Sequence, residues 1–182
     1  MTRKIVPLIA VLLLLSSFVF AQTSEPVTTV YLVRHAERAE EPRQDPLLTE
    51  QGVARSQALA RLLSTAGIKA ILTSQFRRTK LTAEPLATKL SISPTALSLK
   101  VSDTNPRQIA EASTKETVDK VLSHAGGSVL VVGHSNSIPD VIKMLGGDVA
   151  PAIDEKKFDD LFVVTVYGKG KAKVAHLKYG AE

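Results

Sequence analysis

Cysteine is absent from this 182-residue chain. That absence excludes disulfide scaffolds, thiolate zinc sites, iron–sulfur ligation, a cysteine nucleophile and a lipid-modified lipoprotein N-terminus. Tryptophan is absent too, and three Tyr and five Phe are too few for the stacking platform that single-stranded nucleic acid binders use. No Lys/Arg block reaches the roughly five like charges of a nucleic-acid-binding tail. Lys169, Lys171 and Lys173 alternate with Gly170 and Ala172, as in a solvated strand or turn. Neither the HExxH nor the DxDxDG metal spacing occurs. After residue 26 there is no internal repeat, low-complexity block or linker.

What is present is an ordinary globular composition, 44% hydrophobic and 23% charged, with the length of one domain. Arg3 and Lys4 precede an apolar run from Ile5 to Phe20, which ends at Ala21 before polar residues. This pattern predicts a secretory signal peptide over 1–21, cleaved after Ala21, with residues 22–182 as the mature domain. An uncleaved N-terminal anchor is the alternative, although Pro7 interrupts the run and the run is short for a membrane span. Either way the domain is expected outside the cytoplasm, in the periplasm or secreted, with no stable membrane association once the signal is cleaved. The formal net charge is +5. Losing Arg3 and Lys4 leaves a mildly basic protein suited to small anionic partners and not to nucleic acid.

Strand and helix patterns alternate along the mature chain. Strands are expected at Thr28–Val33, Lys69–Thr73, weakly within Ser93–Val101, and at Ser128–Val132. Thr49 caps a helix to about Ala66, and Ser74 a second to about Leu90, with Pro85 expected to kink or end it. A third helix is expected from about Pro106 to Ser123, with proline in its first turn, and a short fourth ends at Leu145. Leu161–Tyr167, a Gly168–Gly170 turn and a strand through about Leu177 read as a hairpin. The expected architecture is a three-layer α/β/α fold, with a mostly parallel sheet and a C-terminal antiparallel hairpin at its edge.

Three predicted strands run directly into polar residues: Arg34-His35-Ala36-Glu37, Ser74-Gln75-Phe76-Arg77-Arg78 and Gly133-His134-Ser135-Asn136. Ligands of open α/β sheets bind outside the carboxyl ends of the strands, so two histidines and two or three arginines can converge there. A neutral imidazole can attack phosphorus and hold a phosphohistidine until water takes the phosphoryl group. Arginines bind the equatorial oxygens in pairs and spread the developing charge. Such a set needs no metal or other cofactor, only a proton donor for the leaving oxygen.

These residues also resemble a known family. Arg34-His35-Ala36-Glu37 is similar to the RHG-type signature of the histidine phosphatase superfamily, the phosphoglycerate-mutase-like proteins. Leu48-Thr49-Glu50-Gln51-Gly52 with Gln57-Ala58 resembles its LTexG…QA segment. Ser74 with Arg78-Thr79-Lys80-Leu81-Thr82-Ala83 resembles SxxxRxxxTA, and Gly133-His134 resembles its GH motif. The resemblance implies His35 as nucleophile, Arg34 and Arg78 as phosphate ligands, with Arg77 competing for the Arg78 role, and His134 as the second histidine. Position 36 departs from the pattern, with Ala for Gly, which is tolerated if the backbone there needs no positive φ.

The phytase-like acid position, directly after the second histidine, is Ser135. Asp103 is therefore the first candidate for proton donor and Glu37 the second, unless the role is unfilled. Glu37, Ser135 and Asn136 are the candidate substrate-binding residues. The implied activity is that of an exported, metal-independent phosphomonoesterase acting on a small phosphorylated substrate. A mutase is disfavoured by the short chain. The rival from another class is a non-catalytic phosphate-binding module on the same fold.

Overall fold

Runs of β-branched and aliphatic residues bounded by turn-forming residues become strands, and the amphipathic stretches between them become helices. The computed structural model describes residues 26–148 and 152–180; the stretch read as a signal peptide lies outside the described residues. Six strands, β1 (Thr28–Arg34), β2 (Ile68–Ser74), β3 (Thr95–Leu97), β4 (Ser128–Gly133), β5 (Asp160–Gly168) and β6 (Lys171–Lys178), form one mixed sheet in the order β3-β2-β4-β1-β5-β6. The first four run parallel, and β5 and β6 add the antiparallel hairpin at one edge.

Alternation along the strands builds two cores. In β4, Val129 and Val131 face one side, under α3 (Glu111–Leu122) and α4 (Ile138–Met144), whereas Leu130 and Val132 face α1 (Glu50–Leu63) and α2 (Arg77–Leu90). All four are buried, as a central parallel strand covered on both faces must be. The three-layer expectation is met. Among the described residues, no helix is long and apolar enough to cross a membrane.

Local expectations fared unevenly. Thr49 caps α1 through its hydroxyl, which accepts from the Gly52 N–H at 3.1 Å. Ser74 does not cap α2: that helix starts at Arg77, whose N–H is taken by Asp45 Oδ1 at 2.8 Å. Pro85 neither ends nor shortens α2, which runs on to Leu90. The lost backbone bond and ring clash cost about 3 kcal/mol; the fully buried Leu86, packed in the same core as α1, by itself recovers about 1.5–3 kcal/mol.

The third helix begins at Glu111, five positions after the predicted Pro106 start. Residues 100–110 instead form a small antiparallel ribbon, with Ala110 N–H donating to Lys100 O (2.9 Å) and Ser102 N–H to Gln108 O (2.9 Å). Asn105 Oδ1 accepts from Arg107 N–H at 3.1 Å. This turn places Pro106 at the tip, where its missing N–H costs nothing.

Candidate active site at the carboxyl ends of three parallel strands

Parallel pairing sets the site. Arg34 is opposite Gly133, Val33 is opposite Val132, and Val132 is also opposite Thr73. The three polar turns therefore leave the sheet at one level, side by side. The His35 N–H donates to Gly133 O at 2.9 Å, which carries the pairing one residue beyond β1. Gly133 is small for a reason. A Cβ there would lie 2.8 Å from Ser137 Oγ, and that hydroxyl accepts the His134 N–H at 2.9 Å. The two imidazoles end 5.3 Å apart, edge to face.

Each ring has a defined tautomer. His35 Nδ1 lies 2.8 Å from the Ala36 carbonyl oxygen, which can only accept, so Nδ1 carries the proton and Nε2 keeps its lone pair. His134 Nδ1 faces Arg78 Nη2 at 3.4 Å, and its Nε2 is 2.9 Å from Ser74 Oγ. A guanidinium can only donate, so the His134 Nε2–H donates to Ser74. Ser74 passes its own proton toward Thr79 Oγ1 at 2.9 Å, and Thr79 donates to Phe76 O at 2.8 Å. This is what Ser74 does instead of capping α2.

Both histidines are buried, and burial pushes each down to about 3, with Arg34 and Arg78 adding to the effect. At neutral pH both are therefore uncharged. His35 is further restrained through its neighbour. The Ala36 N–H donates to Thr82 Oγ1 at 2.9 Å, and Thr82 donates to Arg78 O at 2.7 Å, tying the turn after His35 to α2. Ala36 is fully buried and has no positive φ, so its methyl group is accommodated.

Two arginines flank the imidazoles, each laid on a phenyl ring. Arg34 sits 4.2 Å above Phe158, and Arg78 4.3 Å above Phe76. Arg34 Nη1 donates to the carbonyls of Glu155 (2.7 Å), Lys157 (3.2 Å) and Asp154 (3.3 Å). The Nε groups of Arg34 and Arg78 are buried and have no partner among the described residues. Burial lowers the proton affinity of both guanidinium groups, yet both remain cations. Buried, unpaired, charged donors are costly, and an anion in the adjoining cavity offsets the charge of both guanidinium groups. The cavity they line measures about 380 Å³, and Ser135 and Asn136 are in its wall.

Not every predicted residue arrives. Arg77 is exposed and its side chain lines a different cavity, so Arg78 is the arginine brought to the histidines. Asp103 is a correction: it is exposed in the turn of the 100–110 ribbon and is not among the cavity's lining residues. Glu37 is a second correction. Its carboxylate turns away to a buried pair with Arg55, 2.7 Å from Nη2 and 2.9 Å from Nε. Asn136 is partly committed, donating to Arg107 O at 3.1 Å. Residues 154–158 also serve the site, because the carbonyls of Asp154, Glu155 and Lys157 and the ring of Phe158 hold Arg34.

Sequence reasoning missed Arg38, Arg55, Phe76 and Glu155. Arg38 follows His35 by three residues and was open to notice. Among the described residues that line the cavity, Glu155 is the one carboxylate, and no local pattern marks it.

A fold that brings a neutral histidine, a second histidine and two phenyl-backed arginines to the strand ends offers a setting chemically suited to a phosphoryl group. The model of the histidine phosphatase superfamily (branch 1) matches residues 30–99, the stretch holding Arg34, His35 and Arg78 but not His134. Over that stretch the chain is similar to the histidine phosphatase superfamily, and the fold of the whole domain is shared with the solved structures below. Among solved structures, a phosphoglycerate mutase from Bacillus anthracis is 18% identical, with 85% of this chain and 94% of that one covered at a TM-score of 0.65. The protein histidine phosphatase SixA complexed with tungstate is 18% identical, with 82% and 96% covered and a TM-score of 0.64. A mycobacterial glucosyl-3-phosphoglycerate phosphatase is 16% identical, with 86% and 100% covered and a TM-score of 0.64. A comparison with curated proteins finds no match.

Two predictions follow from these contacts. Arg55→Met leaves the Glu37 carboxylate buried without its partner and is expected to cost about 3–5 kcal/mol, measured by urea unfolding. Adding Glu37→Gln to that variant should recover part of the loss, and no recovery would mean that Arg55 acts through packing alone. The histidines make stability depend on pH. Their folded pKa of about 3 lies below the unfolded value of about 6.5, so the unfolded chain binds more protons between those limits. Stability should be fully present above about pH 6.5 and fall by up to about 1.4 kcal/mol per pH unit per histidine as pH drops toward 3. His134→Asn should flatten the slope, and an unchanged slope would remove His134 as its source.

Proposed function

We propose that the protein is an exported, metal-independent phosphomonoesterase working through a phosphohistidine on His35. The observation that carries the proposal is the locked, neutral His35, its Nε2 lone pair free beside the guanidinium groups of Arg34 and Arg78, whose buried Nε donors are unpaired. Nε2 attacks phosphorus, the N–P bond forms, and the P–O bond to the leaving group breaks. Arg34 and Arg78 hold the equatorial oxygens and supply the positive charge for which other phosphatases recruit a metal. Water then attacks the phosphohistidine, the N–P bond breaks, and Nε2 recovers its lone pair as phosphate departs.

Hydrolysis is favoured over mutase chemistry by the rim. Arg38, Arg43 and Glu155 are solvent-exposed at the cavity mouth, so water has access to the phosphohistidine. We assign the proton for the leaving oxygen to Glu155, because Asp103 is remote and Glu37 is bound to Arg55. Export rests on the sequence pattern of residues 1–21.

Brief mixing of the 22–182 protein with a labelled phosphomonoester, followed by quenching, should trap an acid-labile, alkali-stable phosphoprotein. His35→Ala should abolish both label and turnover, and EDTA should change neither. Turnover without label at residue 35, or label in the alanine variant, would end the proposal. Glu155→Gln should slow hydrolysis of alkyl phosphates by about 10²–10⁴-fold, the range for a general acid. It should barely affect p-nitrophenyl phosphate, whose leaving group needs no proton. Equal loss on both would instead make Glu155 a residue that positions Arg34.

A further inference from the structure

The cavity holds more positive charge than a phosphoryl group needs. Arg34 is fixed by three carbonyls and Phe158, Arg78 by Phe76 and His134, and Arg43 is paired with Glu41 at 3.3 Å. Arg38 differs from all three. Its side chain lines the same cavity, is exposed, and makes no hydrogen bond or ion pair among the described residues.

Its backbone, by contrast, is held. Arg38 bridges to Leu48, the Ala39 N–H donates to Leu47 O at 2.8 Å, and the Thr49 N–H donates to Glu37 O at 3.0 Å. A free guanidinium is thus projected from a fixed base at the rim, so less freedom is lost when it meets a ligand. Arg38 also works against its neighbours: its charge lowers the proton affinity of His35, Arg34 and Arg78. Glu155, the one carboxylate in the described wall, offsets part of the charge at Arg34 but cannot balance Arg34, Arg78 and Arg38 together. A phosphoryl dianion is matched by Arg34 and Arg78 alone, which leaves the planar donor fork of Arg38 for a further pair of anionic oxygens.

We propose that Arg38 is a specificity-determining residue that binds a second anionic group on the non-transferred part of the substrate, making phosphomonoesters that also carry a carboxylate or a second phosphate the preferred class. This rests on the phosphatase reading, so the test separates the two. The probes are ethyl phosphate, phosphoglycolate and ethane-1,2-diol bisphosphate, which share a short alkyl ester and differ in the second group.

The unsubstituted protein should show kcat/KM at least about tenfold higher for the two anionic esters than for ethyl phosphate, the size of one charge-assisted contact. Arg38→Gln should erase that preference through KM, with kcat held and ethyl phosphate changed by less than about threefold. Preference for only one of the two anionic esters would identify the second group as carboxylate or as phosphate. Equal loss on all three esters, or no loss on any, overturns the proposal.

Titration calorimetry on His35→Ala protein gives a readout free of catalysis. Phosphoglycolate should bind about tenfold tighter than inorganic phosphate, and Arg38→Gln in that background should remove the difference. A calorimetric difference without turnover in the unsubstituted protein would sink the phosphatase reading and leave Arg38 standing. Turnover with no difference in either assay would do the reverse.

Discussion

The pairing of β1 with β4, flanked by β2, is the constraint from which the site follows. Because all three strands run parallel and in register, their carboxyl ends expose Arg34-His35, Ser74 and Gly133-His134 at one height. A slip of one residue would reverse every inward and outward side chain of a strand. It would move the histidines apart and at the same time turn Val129, Val131, Leu130 and Val132 to the wrong cores. The arrangement of the candidate site is thereby protected by the hydrophobic patterning of the sheet.

Around that frame, neutral imidazoles and charged guanidinium groups share one small cavity. Burial keeps the histidines unprotonated, as the proposed role of His35 as nucleophile requires. The same burial makes the unpaired Nε donors of Arg34 and Arg78 expensive. Backing each guanidinium with a phenyl ring limits where it can go and replaces water on one face. The free site is therefore electrostatically unsatisfied, which favours a phosphoryl dianion as the proposed complement. This is preorganisation: the cost is carried by the fold before the substrate arrives.

Support comes from behind as well. The Glu37–Arg55 pair joins the turn after His35 to α1, and Arg55 Nη1 also donates to Tyr179 O at 2.9 Å, past the C-terminal hairpin. Gly52 allows the close approach: a Cβ there would lie 2.2 Å from Glu37 O. Residues distant in sequence thus fix the backbone on either side of His35, and residues that read locally as acid candidates turn out to be structural.

By itself, the sequence determined the alternation of strands and helices, the C-terminal hairpin, and the histidines and arginines of the centre. Each of these is written in short-range patterns: apolar runs of strand length, helical spacing, turn residues, and motifs confined to a few consecutive positions. Only the tertiary structure decided which polar residues serve the cavity. Asp103 and Glu155 both sit in polar loops, and nothing within a few residues of either tells them apart. The difference lies in packing across the fold, where the 154–157 carbonyls are drawn to Arg34 while Asn105 and the 100–110 ribbon hold Asp103 out in solvent. Glu37 likewise adjoins the nucleophile in sequence, but its direction is set by Arg55, eighteen residues on. Local sequence specifies elements through backbone preference and hydrophobic period; the partner of a polar side chain is a long-range property that exists only once the chain has folded.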